Sequence, residues 1–471
     1  MPKQCTFLLC LTVALFSTLL SGSTGTDQTA SPNVLFVIAD DLGARLGCYG
    51  DDLAVTPNLD RLAQQGVVFR NCFTQFATCG PSRACMLSGL YPYQTGITSN
   101  NKTVDQSKTP TTTLPKLFRD NGYFTVRVGK VFHMGIPGGI GEAGLDDAKA
   151  WDIAINNTGW DAITGNIDAA NHHGERGYGT RIVWAAPDFP NEEMADGAGT
   201  VEALRMMNEH HPKKTGKPLM LFMGYYRPHP PMISPKSAWD AIDPGQIKLP
   251  HVPEGDRKDI PEINFHLKGD DFNFVPEDVG RSYTHAYHAA INFIDKEVGK
   301  LIAGLKKNGL LDNTIIVFTG DQGFHLGEHG HWHKSTFFEE ASRVPLIVVD
   351  PRKNVKDSNN FDLVGLIDVY PTLCELAGVV ATHKLSGQSL APVLKNRSLP
   401  GNQQVLTQGN PGGASIRTER YRYTEWDGGS KGAMLYDLEK DPNEFTNLVN
   451  DPAYAAIRKQ LKEQLSELMG N

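Results

Sequence analysis

The sequence predicts an α/β fold: a large mixed, mostly parallel sheet flanked by helices, followed by a smaller antiparallel sheet with one helix. Two continuous apolar runs, 33–39 and 314–319, are typical of strands that are covered on both faces, as in a parallel sheet. Predicted strands alternate with predicted helices as far as about residue 395, which favours parallel crossover connections. Beyond that point, short strands separated by turns indicate the antiparallel sheet.

The individual elements follow from local pattern. A helix is predicted to begin at Pro57 with Thr56 as its N-cap, because proline is favoured in a first helical turn. Further strands are predicted at 124–128, 218–224, 344–349, 405–407, 415–418, 421–426 and 434–437. Further helices are predicted at 114–121, 201–210, 283–308, 366–377 and 452–469. Residues 135–200 and 240–280 are rich in Gly, Pro, Asn and Asp and are predicted to be long loops over the active face.

The first 25 residues have the pattern of a secretory signal peptide. Lys3 precedes an apolar run over 5–20, and small residues follow it. The alternative is an uncleaved membrane anchor, but the run falls short of the roughly 20 residues that a bilayer span requires. We therefore predict an exported protein without a stable membrane anchor, either periplasmic or extracellular, or lysosomal in a eukaryote. Its parts are a signal peptide over 1–25, a catalytic domain over 31–395 and a C-terminal α+β subdomain over 396–471.

Net charge and cysteine content restrict the classes of function. The formal net charge of -8 argues against a nucleic-acid partner, because neutralising phosphates requires a basic surface. Seven cysteines are too few for a disulfide scaffold. Removal of the signal peptide with Cys5 and Cys10 leaves an odd number, which predicts one free or chemically special thiol in an exported protein.

A short motif, Cys79–Gly89, carries the sharpest chemical signal. Pro81 indicates that a helix begins next to Cys79, and a helix N-terminus and Arg83 both favour negative charge at that position. The position therefore suits an anionic nucleophile or an anionic substrate. The alternative is a disulfide cysteine on a capped helix.

Three carboxylates follow the two apolar strands. Asp40 and Asp41 end the first strand, and Asp321 follows the second. Functional groups of open α/β sheets gather at the carboxyl ends of the strands. Because carboxylates are hard oxygen ligands, this set suits a divalent cation such as Ca²⁺ or Mg²⁺.

The motif Cys-x-Pro-Ser-Arg followed by Leu-Ser-Gly resembles the signature of the type I sulfatases, a branch of the alkaline phosphatase superfamily. The resemblance runs from about residue 31 to about residue 465 and implies an alkaline phosphatase-like fold. Segments 129–133, 326–334 and 415–424 are similar to the iduronate-2-sulfatase group within that family.

The resemblance implies a modified nucleophile and a metal. Cys79 would be oxidised by a formylglycine-generating maturation enzyme to formylglycine, whose hydrate attacks sulfur and later expels sulfate. One Ca²⁺ would be held by Asp40, Asp41, Asp321, Gln322 and the modified Cys79. Gln322 departs from the family, which more often has Asn or His there, but it still offers a carbonyl oxygen.

Four further side chains receive roles from the same resemblance, and His229 receives one from its place after the strand 218–224. Arg83 steadies the formylglycine hydrate and the charge on the metal side. Lys130 and Lys334 clamp sulfate oxygens, which offsets charge that builds in the transition state. His133 contacts the nucleophile hydroxyl and helps the sulfated intermediate to collapse. His229 is the predicted general acid for the leaving alcohol, since histidine titrates near neutrality.

The predicted function is that of a sulfatase acting on a sulfated carbohydrate, specifically a 2-O-sulfated uronic acid at a chain end. Arg417 is a candidate to meet the carboxylate of that sugar. Among the histidines of 325–333, His329 is expected to come nearest to substrate, whereas Trp332 and Trp426 are expected to be packed rather than to serve as sugar platforms. Alternatives are a phosphomonoester, phosphodiester or phosphonate hydrolase of the same superfamily, or a non-catalytic sulfated-glycan-binding protein with unmodified Cys79.

The sequence does not decide whether the remaining thiols form disulfides. If Cys79 is consumed as the precursor of an aldehyde, four cysteines stay in the mature chain. That even set either pairs or stays reduced, and it comprises Cys48, Cys72, Cys85 and Cys374.

Overall fold

Apart from residue 1, the computed structural model describes residues 31–162, 183–265, 275–353, 355–395, 398–399 and 404–470. Apart from Met1, the predicted signal peptide over 1–25 lies outside the described residues. The predicted boundary between 395 and 396 also stays a prediction. In the part of the chain that the structure describes, no helix has the length and apolar character needed to cross a membrane.

A mixed sheet of nine strands forms the centre of the described chain. In chain order, strands β1 to β11 are Asn33–Asp40, Val67–Phe73, Phe124–Gly129, Ile153–Ile155, Trp184–Ala185, Leu219–Pro228, Met232–Ile233, Thr314–Gly320, Arg343–Val344, Leu346–Val349 and Ser358–Gly365. The order in the sheet is β11-β2-β10-β8-β1-β6-β3-β4, with β9 paired to β2, while β5 and β7 pair separately. Five neighbouring strands run parallel to one another, in the order β8, β1, β6, β3 and β4. Strand β10 is antiparallel to both of its neighbours, β8 and β2. The predicted mixed, mostly parallel sheet is confirmed.

Helices cover both faces of this sheet. In chain order, helices α1 to α7 are Pro57–Ala63, Cys79–Ser88, Leu114–Asp120, Ala195–Glu209, Glu277–Lys307, Val369–Ala377 and Ala455–Leu468. Shorter helices are Pro92–Thr95, Pro212–Thr215, Lys236–Trp239 and Glu339–Ser342. Side chains of β1 alternate between the two layers: Leu35 and Val37 join the core under α1, α4 and α5, and Phe36 and Ile38 join the core under α2, α3 and α6. This alternation is the period-two pattern of a strand buried on both faces.

Two predictions about helix boundaries are wrong. Residues 195–200 begin α4 and residues 277–280 belong to α5, where loops were expected, because tertiary packing extends both helices beyond their strongest apolar periodicity. Thr56 stands at the N-cap position of α1, but its side chain does not cap the helix. Instead, the Asp295 carboxylate from α5 accepts from the backbone N–H groups of Asn58 at 3.0 Å and Leu59 at 2.7 Å. A residue of a distant helix therefore satisfies the orphan donors of the first turn.

The C-terminal part forms the predicted antiparallel sheet with a helix. Strands β12 to β15 are Val405–Gly409, Gly413–Arg417, Tyr421–Trp426 and Ala433–Asp437, paired in sequence order. Leu461 and Leu465 of α7 pack with Leu406, Ile416 and Tyr423 in a core of their own. One face of this sheet is therefore covered by α7, as expected for an antiparallel sheet of this size.

Candidate active site

The register of the central strands brings three carboxylates together. Ala39 of β1 pairs with Gly320 of β8, so the residues that follow them, Asp40 and Asp321, leave the sheet side by side. The Asp321 carboxylate accepts from the backbone N–H of Asp41 at 3.0 Å. Asp41 has a φ of 62°, a left-handed conformation that aspartate tolerates better than most residues. All three carboxylates are fully buried, so their charges must be balanced locally.

Cys79 is the first residue of α2 and lies beside these carboxylates. Its Sγ is 3.2 Å from the Lys334 Nζ, 3.3 Å from the Gln322 Nε2 and 3.7 Å from an oxygen of Asp41. Burial, together with the charge of Asp40, raises the pKa of the Cys79 thiol well above its usual range. The unmodified side chain is therefore a neutral thiol and not the anionic nucleophile that the helix N-terminus alone favours.

Arg83 and Lys130 balance the inner carboxylates. The Arg83 guanidinium lies 3.0 Å from Asp40 and 2.7 Å from Asp321, and the Lys130 ammonium lies 2.6 Å from the other oxygen of Asp40. Burial alone would raise the pKa of Asp40, but the charges of Lys130 and Arg83 hold it well below its usual range. Asp40 is therefore ionised, and Arg83 and Lys130 are fixed by charge-assisted bonds.

Two glycines allow Lys130 to reach this position. The backbone N–H of Lys130 donates to the carbonyl of Gly224 at 2.9 Å. A β-carbon on Gly224 would stand 2.0 Å from the carbonyl oxygen of Lys130, and one on Gly129 would stand 2.2 Å from that of Gly224. Gly129 also has a φ of 71°, which favours glycine. The close approach of β3 and β6 at their ends therefore depends on this glycine pair.

Lys334 and Gln322 complete the wall around Cys79. The Lys334 ammonium and the Gln322 amide nitrogen both donate to the same oxygen of Asp41. Although burial opposes it, Asp41 and Cys79 raise the pKa of Lys334 above its usual value, so Lys334 stays charged. Burial raises the pKa of Asp41 to about 7, against the opposing charge of Lys334.

The donor set fits a divalent cation. The second oxygen of Asp41 and the amide oxygen of Gln322 are buried and have no hydrogen-bond partner among the described residues. Ligand atoms of Asp40, Asp41, Cys79 and His229 lie within 4.8 Å of one another. Unpartnered buried oxygens are costly unless a cation or a donor satisfies them. His229 is a member of this group that the sequence did not suggest as a ligand, and Asp321 and Gln322 stay predicted ligands.

The two predicted catalytic histidines both lie near the cationic lysines. The Nε2 of His229 is 3.8 Å from Asp41, and its Nδ1 lies 2.5 Å from the carbonyl of Pro230. A carbonyl can only accept, so Nδ1 carries the proton and the neutral ring turns its Nε2 lone pair towards Asp41. Burial and Lys334 lower the pKa of His229 well below its usual value. Burial and Lys130 lower the pKa of His133 to about 3.

A buried clamp holds the segment that carries His229. Asp196 of α4 accepts from the backbone N–H groups of Tyr226 at 2.7 Å and Arg227 at 3.1 Å. The Arg227 guanidinium pairs with Asp161 and donates to the carbonyl of Ile233 at 2.9 Å. Sequence reasoning missed these residues because they are far apart in the chain, although a buried-type strand ending in Arg-Pro-His-Pro is a usable signal.

Comparison with known proteins identifies the family of this constellation. Residues 32–379 match the Sulfatase family model, which is well over half of the chain. The chain belongs to the sulfatase family. Residues 327–471 also match a model described as N-sulphoglucosamine sulphohydrolase, C-terminal.

Relatives of this sulfatase span most of its length. Iduronate 2-sulfatase of Mus musculus is 28% identical over 94% of this chain and 95% of its own length. A sulfatase of Formosa agariphila is 31% identical over 93% of this chain and 87% of its own length. Among solved structures, the phosphonate monoester hydrolase of Agrobacterium radiobacter aligns with a TM-score of 0.77 at 24% identity, covering 93% of this chain and 95% of that one. The last similarity concerns the fold and confirms the alkaline phosphatase-like architecture.

Four candidates named from the sequence are buried in this sulfatase. Arg417 is paired with Glu339 at 2.8 Å, so its guanidinium already has a carboxylate partner within the chain. His329 is buried, stacks on Phe338 and lies 2.9 Å from Asp256. Both side chains therefore have partners within the chain, and their contacts with substrate stay predictions. Trp332 and Trp426 are buried, as expected.

The four remaining thiols are unpaired in the structure. Three of them are buried and one is half-buried, and they comprise Cys72, Cys85, Cys374 and Cys48. Of the two possibilities that the sequence left open, the structure therefore has reduced thiols that contribute as small apolar side chains.

Proposed function

We propose that this sulfatase hydrolyses a sulfate ester of a sulfated sugar. The observation that carries the proposal is the convergence of three buried cations, Arg83, Lys130 and Lys334, on carboxylates next to Cys79. A sulfate ester presents negative oxygens that repel an incoming nucleophile. Fixed cations in a water-poor site offset that charge as it develops in the transition state.

We further propose that Cys79 is oxidised to formylglycine by a dedicated maturation enzyme. As a thiol the side chain is buried and neutral, and therefore a poor nucleophile. As a hydrated aldehyde it would supply two hydroxyls, one to attack sulfur and one to release sulfate. Lys334, 3.2 Å from the present Sγ, is placed to hold the reacting atom and orient it towards the substrate.

Calcium is the metal that we propose, on the strength of the family resemblance and the hard oxygen donors. Asp40, Asp41, Asp321 and Gln322 would hold it together with the modified Cys79. The unpartnered oxygens of Asp41 and Gln322 support this, since a glutamine amide can present its carbonyl oxygen by rotation about its last bond. The ion would polarise a sulfate oxygen and offset charge at the nucleophile.

The leaving alcohol requires a proton, for which we propose His229. Its Nε2 is the free nitrogen, because Nδ1 donates to Pro230. The surrounding lysine charges keep the ring neutral before substrate binds, and a bound sulfate ester would counter those charges and favour protonation at Nε2. His133, next to the same lysines, is proposed to exchange the proton of the nucleophile hydroxyl when sulfate is released.

The proposed substrate is a 2-O-sulfated uronic acid of a glycosaminoglycan-like or other sulfated polysaccharide. The iduronate 2-sulfatase relative supports this choice through its length coverage. The C-terminal family is named for a sulfated glucosamine instead, so the position of the sulfate must be measured. We place the enzyme outside the cytoplasm, in the periplasm, the medium or a lysosome, where such polymers are met.

A peptide mass and a pair of cysteine variants test the reaction. The tryptic peptide with Cys79 should have a mass about 18 Da below the thiol form, as conversion to an aldehyde requires. Cys79→Ala should abolish sulfate release from 4-nitrophenyl sulfate and keep the melting temperature. Cys85→Ala, a buried cysteine six residues further along α2, is the matched control and should retain turnover. A full-mass Cys79 peptide from active protein contradicts the mechanism.

A panel of substrates separates the alternatives. The panel consists of defined mono- and disaccharides sulfated at O2 of the uronic acid, or at N or O6 of glucosamine. Sulfate release should be fastest from the substrates sulfated at O2 of the uronic acid. Cleavage of 4-nitrophenyl phosphate with inert sulfate esters would instead favour a phosphomonoesterase or phosphonate hydrolase. Binding without any turnover by fully converted protein would favour a non-catalytic glycan-binding role.

A further inference from the structure

We propose that the C-terminal part carries a second, non-catalytic site for a sulfated polysaccharide chain. The site is a cavity of about 810 Å³ between α7, the turn that joins β14 to β15, and the segment before Ile263. None of its lining residues belongs to the active site. A volume of this size lies within the range of sites that hold small organic ligands.

The walls of the cavity are strongly basic. Lys462 lies four residues after Arg458 and three after Lys459, so it is a neighbour of both on the surface of α7, and all three line the cavity together with Lys258. Asp259 is the one acidic residue of the lining. The whole chain has a net charge of -8, so this concentration of cations is local and not a property of the surface at large.

Most of these cations keep donors for a ligand. Lys258 makes no ion pair with any residue that the structure describes, and its side chain is exposed. Lys459 reaches Glu463 only at 3.9 Å, with both side chains largely exposed. Lys462 donates to the carbonyl of Gly428 at 2.8 Å and lies 3.5 Å from Glu425, which fixes its position and uses part of its charge. Arg458 donates to the carbonyl of Val449, which orients the guanidinium.

Part of the cavity lining is uncharged and closely packed. A β-carbon on Gly432 would stand 2.9 Å from Pro261, so the turn and the opposite wall are packed together there. Ile260, Pro261 and Ala455 contribute apolar surface to the lining. A lining that combines apolar side chains with cations suits a sugar ring, whose C–H face packs on carbon while its sulfates meet the cations.

A sulfated glycan fits this site better than a nucleic acid does. The one aromatic residue of the described lining, Tyr423, is buried and offers no exposed ring face on which a base could stack. The acidic net charge also opposes a long polyphosphate. The choice of a sulfated ligand rests on the proposed function. The binding site itself would retain a polymer while its chain end is processed elsewhere, which raises the effective concentration of that end.

The test measures binding and turnover separately on the full chain. Fluorescein-labelled dextran sulfate is titrated by fluorescence anisotropy into the wild type and into Lys258→Glu/Lys459→Glu. The matched control is Lys213→Glu/Lys306→Glu, which has the same change of charge at two exposed lysines outside the cavity. We expect about tenfold weaker binding for the cavity variant and less than a twofold change for the control. Turnover of 4-nitrophenyl sulfate should be unchanged in both.

Several outcomes would overturn the proposal. Equal loss in both variants would mean attraction by overall charge, and no loss in either would mean that the cavity does not bind the polymer. The site would not select a sulfated glycan if inorganic sulfate, at the same total charge, displaced the labelled polymer as well as unlabelled dextran sulfate does. The same would follow if a labelled single-stranded DNA bound with the affinity of dextran sulfate. If the wild type bound dextran sulfate through Lys258 and Lys459 but hydrolysed no sulfate ester, the proposed reaction would fail and the second site would stand.

Discussion

The side chain of Asn100 occupies the space in which a β-carbon on Gly80 would stand. Its Oδ1 accepts from the Gly80 backbone N–H at 2.9 Å, and an added β-carbon would lie 2.7 Å from that oxygen and 3.1 Å from the Asn100 Cα. Gly80 follows Cys79 directly, so this contact fixes the first turn of the helix that carries the proposed nucleophile. Asn100 thereby satisfies one of the orphan N–H groups at the start of α2.

Gly80→Ala should therefore impair turnover more than stability. The new methyl group must push back both the Asn100 oxygen and its backbone, and the first turn of α2 shifts with them. Displacements of this kind near a reacting atom cost about tenfold to hundredfold in rate. We expect kcat for 4-nitrophenyl sulfate to fall by about tenfold or more.

Gly138→Ala is the control for that substitution, because a β-carbon there meets nothing within 4 Å. It should keep kcat and the melting temperature of the wild type. The Cys79 peptide mass must be measured in each variant, so that a failure of oxidation is separated from a failure of turnover. Wild-type kcat in fully converted Gly80→Ala would show that the contact is dispensable.

Gln322→Ala should weaken Ca²⁺ binding. The Gln322 amide oxygen is buried and unpartnered within the described residues, beside the unpartnered oxygen of Asp41. Removing a ligand oxygen should raise the Kd for Ca²⁺ by about tenfold or more, since even indirect ligand contacts are worth that much. Calorimetric titration of chelator-treated protein measures this without turnover.

The exposed Gln64→Ala is the matched control for the calcium titration and should leave the Kd unchanged. Gln322→Asn, which shortens the side chain but keeps the carbonyl, should lie between the wild type and Gln322→Ala. Identical Ca²⁺ affinity in all four proteins would remove Gln322 from the ligand set.

A strand could be predicted from the sequence when both of its faces are buried in the sheet. β1 and β8 lie at the centre of the sheet, so nearly every residue is apolar and the run is plain in the sequence. β11 is an edge strand with alternating exposure, and β4 has three residues, so neither has a distinctive pattern. β2 was missed for a related reason: Arg70 and Asn71 interrupt its apolar run where the strand is half-buried.

The residues of the site also divide into those that the sequence pattern predicts and those that it does not. Asp40, Asp41 and Asp321 could be predicted to meet, because parallel strand ends share one edge of the sheet. Asn100 could not, since its partner is twenty residues away and nothing local marks the contact. Arg417 was named as a candidate for a substrate carboxylate because the sequence does not indicate its partner within the chain. That partner is Glu339, which belongs to another element. Long-range pairing of charges is invisible to local pattern.

His133→Gln should make stability less sensitive to acid. Burial and Lys130 lower the pKa of His133 to about 3, whereas an unfolded chain binds this proton near pH 6.5. As pH falls from about 6.5 towards 3, the unfolded state takes up a proton that the folded state refuses, so stability is lost in that window. The loss is at most about 1.4 kcal/mol per pH unit and is absent in the variant.

Melting temperatures at pH 7 and pH 5, with a chelator present, measure this difference. The fall between the two pH values should be smaller for His133→Gln than for the wild type. His251→Gln, at an exposed position, should follow the wild type. An identical fall in all three proteins would mean that His133 is protonated in the folded state at pH 5.

Arg422→Ala should destabilise the junction between the C-terminal sheet and the rest of the chain. The Arg422 guanidinium is buried and lies 2.7 Å from Glu444 and 2.5 Å from Glu339. Glu339 begins the short helix that follows Lys334, so the pair couples β14 to the active-site wall. Removing the cation leaves the buried Glu444 without its partner and leaves half-buried Glu339 with Arg417. Breaking a buried ion pair in this way costs about 3–5 kcal/mol.

Arg205→Ala tests whether that cost comes from burial and not from loss of charge. Arg205 also pairs with two glutamates, Glu202 and Glu209, but on the exposed face of α4. Exposed pairs contribute about 1 kcal/mol or less, so the melting temperature of this variant should stay close to that of the wild type. Arg422→Lys keeps the charge but loses the two-pronged geometry, and should recover part of the loss. Equal melting temperatures for Arg422→Ala and Arg205→Ala would mean that the buried carboxylates are protonated or rehydrated, and that the junction is held by its apolar contacts.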